Sequence, residues 1–328
     1  MRKICSILGL YLLTWGSLIA EKNPLWLRYP AISPDGTTIV FSFKGDLYTV
    51  SSQGGKASPL TLHEANDIQP VWSHDGKTIA FASNRYGNFD IFTIPSTGGK
   101  AQRLTYYSTN DMPSGFSLDN QKVLFSSPRL DHVKNQQFPS GLLSELYEVP
   151  LNGGRVKQIL STPAEKANYS QDGKLIIYHD VKGYENAFRK HHVSSVTRDI
   201  WIYNVESKKH TKISSFEGED RNPVFHPDGS SFYYLSEENG SFNIFKKSQT
   251  APYSQEQISS LDKHPVRSLS ISSNGVLSFS YDGELYTLKE GDSPKKVAVE
   301  IVSDERYNPE KTLKIGGNAN QIAVWDFL

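Results

Sequence analysis

The chain has 328 residues, 35 basic and 35 acidic side chains, no net charge, and 17 Tyr, 16 Phe and 1 Cys. That length holds one large domain or two ordinary ones, with a core big enough to need no metal or disulfide staple. The balanced charge without a Lys/Arg block excludes recognition of nucleic acid through a basic stripe and gives no support to a membrane-surface role; the lone Cys5 excludes a disulfide framework, a Cys-based zinc site and a redox pair.

The first element is a leader. Arg2 and Lys3 precede an apolar run from Ile4 to Leu13, and Ser17, Leu18, Ile19 and Ala20 lead to Glu21, the order of a secretory signal. An uncleaved anchor would need about 20 apolar residues without the breaks at Gly9 and Gly16. Residues 1–20 are therefore expected to be removed, with Cys5 among them. The product is expected to be periplasmic or secreted, with no membrane insertion.

The chain then repeats itself. Ile32-Ser33-Pro34-Asp35-Gly36 returns as Trp72-Ser73-His74-Asp75-Gly76, Phe116-Ser117-Leu118-Asp119-Asn120, Tyr169-Ser170-Gln171-Asp172-Gly173, Phe225-His226-Pro227-Asp228-Gly229 and Ile271-Ser272-Ser273-Asn274-Gly275. The Asp/Asn spacings of 40, 44, 53, 56 and 46 residues suit four short strands per unit. After each anchor comes an alternating apolar pair, such as Ile39 and Phe41 or Ile79 and Phe81, the signature of a strand with one face in a core. A further run opens on an acid or amide: Asp46-Leu47-Tyr48, Asp90-Ile91-Phe92, Glu145-Leu146-Tyr147, Asp199-Ile200-Trp201, Asn243-Ile244-Phe245 and Glu284-Leu285-Tyr286. Gly54-Gly55, Gly98-Gly99 and Gly153-Gly154 then supply hairpin turns, and a fourth strand follows around Leu60-Thr61 or Leu104-Thr105. Six such antiparallel meanders, each unable to bury both faces alone, predict an all-β fold: a six-bladed β-propeller of four-stranded blades over residues 21–300, with a tail at 301–328 that begins a further unit. The turn aspartates read as structural, since Asp caps the turn and Gly provides its dihedral. For ring closure, blade six can finish near Lys296 to Val299, and Leu25 to Arg28 can pack beside it or close the ring.

The Ser-Pro-Asp-Gly…Ile-x-Phe…Asp-Ile-Tyr pattern resembles TolB-type repeats. The runs Pro24-Leu25-Trp26-Leu27-Arg28-Tyr29-Pro30, Arg85-Tyr86-Gly87-Asn88-Phe89-Asp90, Phe138-Pro139-Ser140-Gly141, Arg189-Lys190-His191-His192 and Glu217-Gly218-Glu219-Asp220-Arg221-Asn222-Pro223 resemble more closely the N-terminal six-bladed propeller of tricorn-like serine peptidases. In that family the active-site serine and histidine belong to a later protease domain of the tail-specific class. The resemblance therefore implies a propeller without catalytic residues, inactive as a peptidase by itself, whose partners are peptides or a peptidase catalytic domain. A free-standing TolB-like scaffold for other envelope proteins is the alternative.

Within the propeller no nucleophile elbow, phosphate loop or His-Glu-x-x-His occurs, and no cofactor or metal is called for. His63-Glu64 lacks a second ligand at metal spacing, and His191 and His192 are neighbours, whose side chains are expected to point apart in a strand or loop, with no carboxylate at a ligand spacing. The irregular parts are two insertions between second and third strands, Arg129 to Leu143 and Val181 to Arg198. They fall on the face expected to carry Glu64, Asn66, Asp67, Asn110, Asp111, Glu217, Glu219, Asp220, Arg221, Lys263 and His264. Tyr184, Arg189, Lys190, His191 and His192, with Asp220 and Arg221, are the candidate binding residues, since aromatic and cationic groups suit a peptide carboxylate or a partner domain. Packing over the channel mouth is the competing reading of the same loops.

Overall fold

The computed structural model of the protein describes residues 21–22, 24–129, 143–184, 193–250 and 253–302. The described residues form strands and no helix, arranged as six antiparallel meanders. Blade one comprises Arg28–Ile32, Thr38–Phe43, Asp46–Ser51 and Gly55–Pro59, and blade two Asp67–Trp72, Thr78–Tyr86, Asn88–Pro95 and Gln102–Arg103. Met112–Phe116, Lys122–Ser127, Glu145–Pro150 and Lys157–Pro163 make blade three; Glu165–Tyr169, Leu175–His179, Ile200–Asn204 and His210–Lys212 make blade four. Blade five is Asp220–Phe225, Ser231–Ser236, Asn243–Ser248 and Gln255–Gln257, and blade six Arg267–Ile271, Leu277–Tyr281, Glu284–Leu288 and Lys295–Lys296. The first strand of each blade touches the first strands of both neighbours, and the sixth touches the first, so these six strands surround a central channel.

Alternation puts the repeated aromatics between blades. Phe41, Phe81, Phe125, Phe232 and Phe279 are fully buried. Stacked cross-strand ring pairs recur at Phe41–Tyr48, Phe81–Phe92, Phe125–Tyr147 and Phe279–Tyr286, with centroids 5.7 to 6.0 Å apart. Each cluster draws on two adjacent blades: Leu124, Leu146 and Leu160 of blade three pack with Ile176 and Tyr178 of blade four. Burying such side chains is worth about 1.5–3 kcal/mol each, which is what holds the blades together.

The Asp-Gly turns share one geometry. Ser33 Oγ donates to Asp35 Oδ1 at 2.5 Å, the Thr37 N–H donates to the same oxygen at 3.0 Å, and the Thr38 N–H donates back to Ser33 Oγ at 3.0 Å. The arrangement recurs at Ser73/Asp75, Ser117/Asp119 and Ser170/Asp172. In blade five His226 replaces the serine, and its Nδ1 accepts the Asp228 N–H at 3.1 Å. The following residue has positive φ, which glycine tolerates; the degraded third copy uses Asn120 at φ 57°, the residue type next best suited to that region. Turns of adjacent blades are stitched together, with the His74 N–H donating to Asn120 Oδ1 at 2.7 Å and the Ser273 N–H to the Pro34 carbonyl at 2.8 Å.

In four blades a hydroxyl two residues past the fourth strand ties down the start of the third. Thr61, Thr105, Ser214 and Ser259 accept the N–H of Leu47, Ile91, Ile200 and Ile244 at 2.9 to 3.0 Å. Ser214 and Ser259 in turn donate to Asp199 and Asn243 at 3.0 and 2.8 Å.

Ring closure falls on blade one. After blade six, Val299–Ile301 crosses to pair in parallel with Gly55–Pro59, and Glu21–Lys22 pairs antiparallel outside it. Val299 thus belongs to blade one's sheet, and the ring runs one residue past the expected boundary at 300. The Leu27 N–H donates to the Gly283 carbonyl at 2.8 Å, and buried Leu27 packs with Leu285 and Val297, so this segment leans on blade six before Arg28 opens blade one.

Hydrogen bonds from serine hydroxyls hold Asp35, Asp75, Asp119 and Asp172 below the usual 3.8, and Asp228, held chiefly by the Ser230 N–H, falls to about 2. A depressed carboxyl adds stability that is complete above its unfolded value and is lost as pH falls through the folded one. The contribution of these turns to the melting temperature should therefore be constant down to about pH 5 and be lost steeply below about pH 4. In Asp75→Ala, losing the turn bonds should cost about 1 kcal/mol at neutral pH and flatten the acid limb, as urea titration across that range would measure.

Candidate functional site

The channel is the site the fold builds. Its first strands each carry a β-bulge, and in five blades the residue six before the turn anchor takes a left-handed conformation: Tyr29, Gln69, Lys166, Asn222 and Ser268, with φ between 51° and 57°. Blade three has Pro113 there, whose ring forbids positive φ, and its bulge falls between Pro113 and Gly115. Non-glycine residues rarely adopt this conformation, and five at one level of a ring is a property of the repeat. All five line a cavity of about 470 Å³.

Polar contacts cross and line this cavity. Lys166 Nζ donates to Gln69 Oε1, joining blades four and two past blade three. Burial pushes the Lys166 ammonium down to about 8, with the Glu165 carboxylate opposing the shift. His179 Nδ1 accepts the Asn222 N–H at 3.0 Å, so the ring proton sits on Nε2, which faces Glu165 Oε2 at 3.4 Å. This tautomer makes His179 neutral, and burial holds its pKa below 6.5. Burial raises the Glu165 carboxyl, but the bond to His179 and the Arg198 charge outweigh it and hold the group ionised. At the same end Glu219 receives Arg198 at 3.1 Å and Arg221 at 3.4 Å, while Arg267 also lines the wall. Burial lowers Arg221 to about 10, and its guanidinium lies 4.0 Å over the Phe242 ring. The wall therefore offers an ammonium, guanidinium groups, amides and hydroxyls from several blades to whatever enters. Among the described residues no group of three His, Cys, Asp or Glu side chains is placed to hold a metal.

The candidate binding residues are scattered by this geometry. Arg189, Lys190, His191 and His192 lie outside the described residues. Tyr184 is 90% exposed at the edge of its insertion. Asp220 and Arg221, expected on an exposed polar face, are instead 1% and 7% exposed, because the first strand of blade five begins at Asp220 and draws both inward. Asp67 and Asp111, expected on the same polar face, are likewise drawn inward: each is fully buried under an arginine, Arg85 at 2.7 Å and Arg129 at 2.5 Å. Of that group Arg221 reaches the channel wall, next to the left-handed residues that the sequence pattern did not single out. Their signal was a non-glycine residue at a constant distance before the anchor, followed by Pro30, Pro70 or Pro223 in three blades.

Residues 24–294 match the family model described as the tricorn protease N-terminal beta propeller domain. The chain belongs to this family. Among solved structures, the crystal structure of the tricorn protease superposes with a TM-score of 0.70 at 19% identity, covering 83% of this chain and 26% of that one. TolB from Acinetobacter baumannii superposes with a TM-score of 0.53 at 19% identity, covering 85% of this chain and 57% of TolB. Dipeptidyl-peptidase 5 of Porphyromonas gingivalis is 37% identical over 68 residues, 18% of this chain. The chain thus spans 10% of that curated relative and about a quarter of the tricorn chain. At these identities the superpositions establish the fold, an all-β six-bladed propeller shared with tricorn and TolB.

The neutral His179 of this tricorn-type propeller has a pH consequence. Below its ordinary value near 6.5 the unfolded chain takes up a proton that the folded chain resists, so this part of the stability is complete above that pH and declines as pH falls below it. Asp220, raised to about 7, contributes the opposite slope in this range, so the check is a comparison: melting curves between pH 5 and pH 8 should fall less toward acid in His179→Gln than in the wild type.

Proposed function

We propose that this chain is the non-catalytic propeller of a tricorn-like peptidase, passing or docking peptides for a catalytic domain that lies elsewhere. The observation carrying this reading is family membership across the ring, joined to a channel whose wall presents hydrogen-bonding side chains from several blades. An extended peptide has unpaired backbone donors and acceptors along its length, and such a wall can satisfy them without demanding one sequence. The leader at residues 1–20 supports a periplasmic or secreted location, which N-terminal sequencing of the mature protein would test.

Labelled unstructured peptides titrated against the purified chain provide the functional test. They should bind without being cleaved, and Lys166→Met should weaken binding by about ten-fold by removing a charge-assisted donor from the wall. Replacing Arg189, Lys190, His191 and His192 together by Ala separates docking from passage: loss of binding in this variant alone places recognition on the insertion. Hydrolysis that survives repurification would refute the accessory role. Absence of peptide binding would favour the alternative, a TolB-like scaffold for another envelope protein.

A further inference from the structure

A second recognition feature emerges when the blades are compared with one another. Blades two and three each contain an arginine cage. Eight residues before the turn aspartate stands a buried carboxylate, Asp67 or Asp111, and ten residues after it an arginine, Arg85 or Arg129. Arg85 meets Asp67 at 2.7 Å and lies 5.7 and 5.2 Å from the Phe81 and Phe92 rings. Arg129 meets Asp111 at 2.5 Å and lies 5.2 and 5.8 Å from Phe125 and Tyr147.

Blade five keeps the carboxylate and the ring pair without the arginine, and closes over them: Asp220, Tyr234 and Phe245 are all buried. Asp220 stands at the carboxylate position, and Tyr234 and Phe245 repeat the ring pair with centroids 5.9 Å apart, against 5.8 Å in each of the other two blades. At the arginine position stands Glu238, which is exposed. Among the described residues no basic side chain comes within ion-pair distance of Asp220; its Oδ1 is buried without a hydrogen-bond partner, as is Asp67 Oδ1 in the filled cage, so the difference between the blades lies in the ion pair. The groups facing it are the Ser236 hydroxyl, Asp199 from blade four, and Glu238 and Lys247 of its own blade. Lys247 is itself turned toward Gln255 Oε1 at 3.3 Å.

We propose that the Asp220, Tyr234, Phe245 and Glu238 cluster of blade five is a receptor for a guanidinium group, filled by an arginine side chain of a bound peptide or protein. The two intact cages show that this scaffold seats a guanidinium between one carboxylate and two rings, entering from the rim where Arg85 and Arg129 remain 15% and 13% exposed. A second carboxylate at the rim, Glu238, which accepts the Gln255 amide at 2.6 Å, adds attraction for a cation that displaces that amide. The site is separate from the channel and does not depend on the peptidase role.

Burial and the neighbouring Asp199 and Glu238 push the Asp220 carboxyl up to about 7, so below about pH 7 binding a cation there is accompanied by release of a proton. The test uses the full chain with N-acetylarginine amide as probe and the citrulline analogue as its uncharged isostere. Melting temperature should rise saturably with the arginine compound, with at least about ten-fold weaker response to citrulline, and more strongly at about pH 8 than at about pH 6. Glu238→Arg should raise the melting temperature without any probe and abolish the response, by completing a third internal cage. Asp220→Asn should abolish the response without the gain. Equal responses to arginine and citrulline, or an arginine response that persists in Glu238→Arg, would overturn the proposal.

Discussion

A four-stranded sheet with bulky apolar residues on both faces has to cover both, and everything else in this protein follows from how it does so. Each blade presents its aromatic rows to the blade on either side, and six blades in a ring leave no such face open to solvent. The circular arrangement brings six first strands to one axis. It also makes closure a separate problem, since the first and last blades must meet without a covalent link between them. Here the solution is a crossing strand, Val299–Ile301, hydrogen-bonded in parallel to the outer edge of blade one. Gly54 permits the close approach, for a Cβ there would lie 2.7 Å from the Ala298 carbonyl oxygen.

Convergence on an axis also creates the site. Strands packed around a ring cannot all remain regular, and the bulges near the start of the first strands absorb the mismatch. Their left-handed residues line the channel at a common level. A structural necessity thereby becomes a functional opportunity: the residue at each bulge is free to vary in chemistry, and this chain uses a tyrosine, a lysine, two amides and a serine. The Lys166 to Gln69 bond shows how far such side chains reach, since it spans the ring past an entire blade.

Repetition provides a second kind of information. Where one blade departs from its siblings at a single position while keeping everything around it, the departure stands out against an internal reference. Glu238 is such a departure, because Asp220 and its ring pair remain as if an arginine were present. Leu27 with Gly45 in blade one, by contrast, changes both members of the pair together, and the corresponding core there is apolar.

Fold class, blade number and turn chemistry were legible in the amino-acid sequence, because they rest on local periodicity: a two-residue alternation, an Asp-Gly turn and a recurrent register repeated six times. Side-chain destination was not. Asp67, Asp111, Asp220 and Arg221 read as polar surface because charge usually stays in water, and only tertiary packing showed them drawn inward to arginine partners, to a buried carboxyl site or to the channel wall. The path of closure was equally undecided, since Lys295 to Ile301 can extend blade six or cross to blade one on local grounds alone. Partners separated by tens or hundreds of residues, such as Gly55 with Val299 or Gln69 with Lys166, leave no periodic trace in the chain. Their pairing depends on where the ring brings them, and that is a property of the assembled blades.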